Sequence, residues 1–207
     1  TDILYKCFNY FYRPSNCVLF IAGDVTLGEI SDIADNYIPE SSYDMGYKPV
    51  RIYPHEPAKL NLDYFEQKMD IQTPRFAIGI KDIDTGYSGK ALLKKEIEIL
   101  ILLDLLFGCN SDFYNENRVS GLINSTFKSS FTGEKYYGYI LLSGESSEPV
   151  KVFEQVKRYL KKGGSYINEQ SVDDIKGKLE CNYGPNYNYG SYIGSNIVPY
   201  YLKSISF

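Results

Sequence analysis

The order of apolar and polar positions divides the first part of the chain into a helix, a turn, a strand and a second helix. Residues 1–11 repeat apolar side chains at helical spacing, and Pro14 ends that helix because proline lacks an N–H and restricts the residue before it. Residues 18–22 are wholly apolar, as short buried strands are, and residues 27–37 return to helical spacing. We therefore predict a helix, a strand and a helix in this part of the chain.

A proline-rich stretch then separates this part from the rest. Residues 39–57 hold four prolines among serines, tyrosines and scattered charges, and no apolar period continues through them. The stretch is long enough to cross between two domains. We therefore predict the end of one domain over residues 1–38, a linker over residues 39–60 and a second domain over residues 61–207.

Strands and a long helix open the second domain. Residues 61–82 alternate in places and are bent at Pro74, which predicts two strand segments. Residues 90–107 predict a helix that is apolar nearly all round, so other elements must cover it, and Gly108 follows as its C-cap. A β-hairpin comes next, with predicted strands over residues 126–131 and 136–143 joined through residues 132–135.

Two further helices complete the pattern. Pro149 supplies a first-turn proline for the first of them, and its apolar stripe stops at Gly163. The last helix starts near Asn168, and the Gly184-Pro185 pair predicts that it is kinked or divided. Helices that follow antiparallel strands indicate an α+β fold, with an antiparallel sheet that carries helices on one face.

Composition and charge narrow the classes of function. A formal net charge of −4 gives no electrostatic footprint for nucleic acid or an anionic membrane, and we expect neither as a partner. The densest apolar run, residues 97–107, is too short to span a bilayer. The four cysteines show no Cys-x-x-Cys spacing and lie in or beside apolar segments, so we expect reduced, mostly buried thiols in a cytoplasmic protein.

The single histidine argues against a metal site. A catalytic zinc site needs three protein ligands and an open position. His55 lies between Pro54 and Pro57, which forbid the helix that would set ligand spacing. We therefore expect His55 to be a loop residue, and the chain to carry neither a metal site nor a catalytic residue.

Three segments carry a resemblance to a known family. Residues 10–25 read as a helix, a turn, an apolar strand and a Gly-Asp pair, residues 66–82 combine a charged strand, Pro74 and an apolar strand, and residues 111–127 contain Ser-x-x-Tyr followed by Gly-Leu-Ile. Together they resemble the insulinase-type (M16, pitrilysin clan) zinc metallopeptidases, in the bacterial processing-protease-like branch. The resemblance covers nearly the whole chain and implies that it is a fragment lacking the zinc-binding motif His-x-x-Glu-His. Residues 1–38 would be the end of the zinc-bearing half, residues 39–60 the linker and residues 61–207 most of the metal-free half.

The resemblance implies a function for a longer parent protein. That parent would be a zinc metalloendopeptidase whose two halves close around an extended peptide. This chain would hold most of the metal-free half, would be inactive alone, and would form the wall opposite the zinc. The implied partners are the missing zinc-bearing half, a paralogous M16 subunit and a peptide substrate, and zinc would be the cofactor of the parent only.

The third segment also holds the candidate substrate-binding residues. Members with two halves carry an arginine before this Gly-Leu pair and a tyrosine after it, and both reach the scissile carbonyl of the substrate. Arg118 takes the place of that arginine, at a shorter spacing to Gly121, and Asn124 stands where the tyrosine would be expected. We expect Arg118 and Asn124 to contact substrate; the alternative is that Arg118 is a solvated or ion-paired side chain on a loop.

Two other classes of function stay open. The first is a structural member of the clan without peptidase activity. The second is an RNA-recognition-like binding domain, because residues 135–140 approach the aromatic strand motif of such domains, with Tyr137 and Tyr139 as stacking rings. Against RNA binding, Tyr136 replaces the expected glycine, and Glu134 puts negative charge where phosphate must approach.

Overall fold

The computed structural model describes most of the chain. The described residues are 1–38, 50, 52–53 and 57–204. His55 and most of the predicted linker lie outside them, so the predictions about that histidine and that linker stay predictions.

The secondary structure follows an α+β order. The helices are α1 (Asp2–Phe11), α2 (Leu27–Tyr37), α3 (Gly89–Phe107), α4 (Asp112–Val119), α5 (Pro149–Lys162), α6 (Glu169–Tyr183) and α7 (Gly190–Leu202). The strands are β1 (Arg75–Asp82), β2 (Lys128–Gly133) and β3 (Gly138–Glu145).

The chain forms two compact units. One comprises Thr1–His55 and Pro185–Leu202, and the other comprises Glu56–Gly184 and Lys203–Phe207. Helix α7 therefore belongs to the same unit as α1 and α2, whereas the sequence pattern grouped it with the second domain. The predicted domain boundaries concern the halves of a longer protein, and they stay a prediction.

Both helices predicted at the start of the chain are present in the first unit. Helix α1 begins one residue later than predicted, and α2 has the predicted bounds. The hydroxyl oxygen of Thr26 accepts the Glu29 N–H, while the Glu29 carboxylate accepts the Thr26 N–H at 2.8 Å. This reciprocal capping box satisfies two helix-end N–H groups and explains why α2 starts at Leu27.

The apolar run at residues 18–22 is not a strand, so that prediction is wrong. A strand needs a hydrogen-bonded neighbour, and the described part of the first unit supplies none. The run packs against α7 instead. A Cβ atom added to Gly194 would lie 2.8 Å from the Phe20 ring, and one added to Gly190 would lie 3.0 Å from Cβ of Ala22. The two glycines therefore allow α7 to approach the run closely.

The last predicted helix is divided, as expected from its glycine and proline. Helix α6 begins after Asn168, whose side-chain oxygen accepts the Ser171 N–H at 2.9 Å. The break falls at Gly184, and a 3₁₀ turn over Pro185–Asn188 leads into α7. The prediction of a divided helix is therefore confirmed.

The second unit contains an antiparallel sheet in the order β1-β3-β2. Strands β2 and β3 form the predicted hairpin, but both begin two residues later than predicted, and the loop is residues 134–137. Gly133 pairs with Gly138 at the end of the ladder, and the Glu134 N–H closes the loop on the Tyr137 carbonyl at 2.9 Å. The hairpin prediction is confirmed with this shift.

Only one of the two strand segments predicted over residues 61–82 exists. Strand β1 begins at Arg75, directly after Pro74, and no strand or helix is assigned to residues 57–74. The side chains of that stretch are mostly exposed, including Phe65 and Met69. The prediction of a first strand there is wrong. An alternating sequence can favour a strand, but a strand forms only where a second segment is available to pair with it.

The helices α3 and α5 cover one face of the sheet, which confirms the predicted α+β layer. Alternate strand residues, including Phe76 and Leu142, point into the core between the layers. The buried core consists of Phe76, Leu103, Leu106, Phe107, Phe113, Ile123, Phe127, Leu142, Val152, Val156 and Tyr159.

Two predictions about burial are wrong. Helix α3 is covered incompletely: β2, α4 and α6 contact it, but Ile97 and Leu100 stay 46% and 41% exposed. The cysteines are free but exposed rather than buried, since none of them lies on a core-facing position: Cys7, Cys17, Cys109 and Cys181.

Candidate functional site

The segment 111–127 connects α3 to β2 and contains both candidate substrate-binding residues. Ser111 starts α4, because its hydroxyl oxygen accepts the Tyr114 N–H at 3.1 Å. Ser111 itself is buried. The start of the segment is therefore fixed to the core.

Phe113 anchors the segment to the rest of the second unit. Its side chain is completely buried, and its ring meets the rings of Phe107, Phe127 and Tyr159 at centroid distances of 5.0, 5.4 and 5.2 Å. Aromatic pairs at such distances add to the hydrophobic contribution. With this face of α4 buried, the opposite face of the helix is held outward.

Asn117 shapes the turn that follows α4. It is buried, its side-chain N–H₂ donates to the Phe113 carbonyl at 2.7 Å, and its carbonyl accepts N–H groups of Leu122 and Ile123 at 2.9 and 3.1 Å. Gly121 takes the left-handed conformation this turn requires, with φ of +74°. The sequence pattern did not identify Asn117; the local signal of the helix C-terminus is Gly121, just past the end of α4.

Arg118 lies in the last turn of α4, not on a loop as the alternative reading supposed. Its side chain is exposed, and its guanidinium carbon lies 5.9 Å from the centroid of the Tyr114 ring. Over the described residues, no carboxylate lies within ion-pair distance of Arg118, whereas Arg158 pairs with Glu116 at 3.2 Å. Arg118 is therefore an outward guanidinium that is available to a ligand.

Asn124 is exposed and lies after the turn. Its side-chain oxygen accepts both the Thr126 N–H at 2.9 Å and the Thr126 hydroxyl at 2.5 Å. The described structure contains no hydrogen bond between the side chains of Arg118 and Asn124. The two candidate residues are thus carried by one rigidly anchored segment, each presented to solvent by its own contacts.

A second charged cluster lies where β1 ends beside α3. The ammonium of Lys95 lies 2.7 Å from the Asp82 carboxylate and 3.4 Å from that of Asp84, and 4.9 Å from the centroid of the Tyr87 ring. Burial disfavours the charged ammonium, but the contacts with the two carboxylates outweigh it and raise the pKa of Lys95. The cluster joins a strand to a helix and has the chemistry of a structural ion pair.

The described residues offer no site for zinc. No group of three or more histidine, cysteine, aspartate or glutamate side chains is arranged to hold a metal ion among them. A catalytic zinc site would need three such ligands around one point. The residues that the structure describes therefore do not fit this metal.

The two rings proposed for RNA stacking do not share one strand. Tyr139 lies on β3, but Tyr137 belongs to the hairpin loop, because β3 begins at Gly138. Base stacking in RNA-recognition domains uses rings presented together on the sheet. The RNA-binding alternative therefore receives no support.

None of the helices within the described residues combines the length and the apolar character needed to cross a bilayer.

Comparisons with known proteins agree on one family. The family described as peptidase M16 inactive domain matches residues 1–179. The uncharacterized zinc protease YmfH of Bacillus subtilis (strain 168) is 30% identical over 213 residues, which cover 99% of this chain and 48% of that protein. An M16-like peptidase of known crystal structure from Alicyclobacillus acidocaldarius has a TM-score of 0.77 and 26% identity, over 98% of this chain and 48% of its own. The chain thus spans about half the length of the relatives it matches.

Proposed function

Since the chain belongs to the M16 peptidase family, as its inactive domain, we propose that it is the metal-free C-terminal portion of a longer bacterial zinc metallopeptidase. In that role it forms the wall of the peptide-binding chamber opposite the zinc. The observation that carries the proposal is the match to the inactive domain by a chain about half as long as its relatives.

Zinc belongs to the other half in this proposal. The described residues contain no group that fits the metal, while the name of the relative YmfH identifies that protein as a zinc protease. The ligands would therefore come from residues of the parent protein outside this chain, in a His-x-x-Glu-His motif. When bound, zinc would supply the activation of water for peptide hydrolysis.

The contribution of this chain is to bind and orient the peptide. Arg118 offers an outward guanidinium with no carboxylate partner among the residues that the structure describes, on a helix fixed by the buried Phe113. A guanidinium can donate charge-assisted hydrogen bonds to a peptide carbonyl, and these strengthen as negative charge develops on the oxygen. Asn124 lies on the same anchored segment, six residues further along the chain, and adds hydrogen-bonding groups of its own.

The main partner in this proposal is the zinc-bearing half of the same protein. Residues 1–38 would complete that half, residues 39–60 would be the linker, and residues 61–207 would be most of the metal-free half. The apolar face of α1 supports this, because Ile3, Leu4 and Phe8 are 78%, 72% and 55% exposed and no residue of α1 is buried. A short amphipathic helix depends on such a face being covered.

A cytoplasmic location fits the thiol chemistry. All four cysteines are free and exposed. Exposed thiols stay reduced in the cytoplasm and tend to oxidise in secreted proteins. We therefore place the parent protein in the cytoplasm.

The test of this function is peptide cleavage by the full-length parent protein and its Arg118→Ala variant. The probe is a mixture of tryptic casein peptides, and mass spectrometry measures their loss. We expect a roughly hundredfold lower turnover, because a lost contact to a developing oxyanion costs about 3 kcal/mol. The stability should hardly change, because the side chain is exposed.

Arg158→Ala is the matched control, since it removes a guanidinium from the adjacent α5 that pairs with α4. We expect its turnover to stay within about twofold of the wild type, because surface ion pairs contribute little. Equal turnover of the Arg118 variant and the wild type would make Arg118 an ordinary solvated residue. If the wild-type full-length protein cleaves no peptide, a structural role without peptidase activity is favoured.

A further inference from the structure

We propose that Thr126 is a positioning residue that fixes the Asn124 side chain, so that Asn124 presents only hydrogen-bond donors to an oxygen of the peptide. This inference rests on the proposed function, because it takes segment 111–127 to face the substrate. It adds the chemistry by which an asparagine serves where the family resemblance implies a tyrosine.

The orientation of the Asn124 amide follows from its two contacts with Thr126. The backbone N–H of Thr126 lies 2.9 Å from the Asn124 side-chain oxygen, and a backbone nitrogen can only donate. The acceptor must therefore be the oxygen of the amide, not its nitrogen. This hydrogen bond closes a local turn of the kind that asparagine side chains favour.

The Thr126 hydroxyl adds the second contact, and its own direction is fixed from the other side. The Glu145 N–H at the end of β3 donates to the Thr126 hydroxyl oxygen at 2.9 Å. The hydroxyl hydrogen is left free to donate to the Asn124 oxygen, 2.5 Å away. A chain of hydrogen bonds thus runs from the backbone of the sheet, through Thr126, to the exposed amide of Asn124.

These contacts occupy the carbonyl oxygen of the Asn124 side chain and leave its N–H₂ group free to donate. Both hydrogen bonds occupy the carbonyl oxygen, while the exposed N–H₂ group has no hydrogen-bond acceptor over the described residues. Such a group can bind a carbonyl or carboxylate oxygen, and it cannot accept an N–H. The ligand chemistry is therefore an acceptor oxygen of the substrate main chain, which a tyrosine hydroxyl would also bind as a donor.

The experiment measures cleavage of the casein peptide mixture by the full-length protein and four variants. Thr126→Val removes the hydroxyl at nearly constant shape, Thr126→Ser keeps it, and Asn124→Ala removes the amide. The double variant of Thr126→Val with Asn124→Ala tests whether Thr126 acts through Asn124. Thermal unfolding of each variant is recorded in parallel.

We expect Thr126→Val to lower kcat/KM roughly threefold to tenfold, as loss of one orienting hydrogen bond should, and Thr126→Ser to restore it. Asn124→Ala should lower kcat/KM at least as much. In the Asn124→Ala background, Thr126→Val should cause no further loss, although any effect on unfolding temperature should persist. A merely structural threonine would instead lower turnover by the same factor in both backgrounds.

The outcomes separate this inference from the proposed function. If Arg118→Ala and Asn124→Ala impair cleavage but Thr126→Val does not, the positioning role is refuted and the substrate-facing wall stands. An additive double variant refutes the positioning role in the same way. If neither Arg118→Ala nor Asn124→Ala changes cleavage, the proposed function fails, and the inference about Thr126 fails with it.

Discussion

The side chain of Phe113 should control both the stability of the second unit and the position of the candidate site. It is completely buried, and three aromatic rings surround it within 5.4 Å between centroids. It also lies in the first turn of α4, whose last turn carries Arg118. Phe113→Ala is therefore the perturbation that links core packing to the segment most directly.

The magnitude follows from the buried area. A buried phenylalanine removes about 200 Å² from water, which at about 25 cal/mol per Å² is worth about 5 kcal/mol. Alanine retains part of that burial, while the cavity left behind adds a cost. We therefore expect Phe113→Ala to lower the free energy of unfolding by about 4 kcal/mol, within the range seen for such substitutions. That is a large fraction of the roughly 5–15 kcal/mol that stabilises a typical domain.

Phe153→Ala is the matched control, because it makes the same chemical change at a position on α5 that is 43% exposed. We expect a loss of about 1 kcal/mol there, since alanine favours the helix and offsets part of the lost burial. Urea unfolding, followed by near-ultraviolet circular dichroism of the tyrosines, gives both free energies.

The comparison between the two variants carries the test. A loss below about 2 kcal/mol for Phe113→Ala, at an unchanged urea dependence, would mean that the core does not pack around this ring. A loss for Phe153→Ala as large as that for Phe113→Ala would show that the Phe153 side chain is buried, against its 43% exposure in the structure. The first of these results would also remove the physical basis for a rigid segment 111–127.

Two further predictions concern charge and metal. Lys95→Met should lower the free energy of unfolding by about 2 kcal/mol in urea titrations, because it leaves the partly buried Asp82 unpaired. The contacts of Lys95 raise its pKa in the folded state. The stabilising contribution of Lys95 is therefore present at neutral pH and is lost as the pH rises above about 10. The Lys95→Met variant should consequently lose less stability at alkaline pH than the wild type does. The hydrogen bond to Asp84 also raises the pKa of Tyr87, so Tyr87 contributes to the alkaline loss of stability as well. The Tyr87→Phe variant measures that contribution separately from the contribution of Lys95. Finally, the chain dialysed after exposure to zinc should retain less than one equivalent by metal analysis, since its described residues offer no ligand cluster; one retained equivalent would contradict the assignment of zinc to the other half.

The helices and the family could be predicted from the sequence because their signals are local. The first-turn Pro149 and the helix start predicted near Asn168 are local signals, and α5 and α6 begin where they predict. Helix α2 begins where its apolar spacing predicts, and Thr26 caps it within one turn. The resemblance to M16 peptidases and the α+β fold are confirmed by the comparisons. Local helix signals and the family resemblance were thus sufficient to predict most of the fold that positions the site.

The strands could be predicted only where their neighbours lie in the same chain. Strands β2 and β3 find each other across a short loop, so their signal is almost as local as that of a helix. The run at residues 18–22 and the segment at residues 66–70 have strand-like sequences, yet neither forms a strand. A strand is stabilised by pairing with a second segment, and the strand propensity of one segment does not show whether such a partner is present.

In the candidate site, too, the sequence identified features that are local along the chain but not contacts between distant segments. Arg118 and Asn124 were identified by their place in a family pattern, which says where a residue lies along the chain but not what orients it. The orienting groups are the backbone carbonyl of Asn117, which accepts N–H groups five and six residues further along the chain, and a backbone N–H of Glu145 on β3. Contacts of the second kind depend on the register of β3, which no local pattern encodes. The geometry that would make Asn124 a donor for substrate therefore arises only after the sheet has formed, and this couples the chemistry of the segment to the fold of the whole unit.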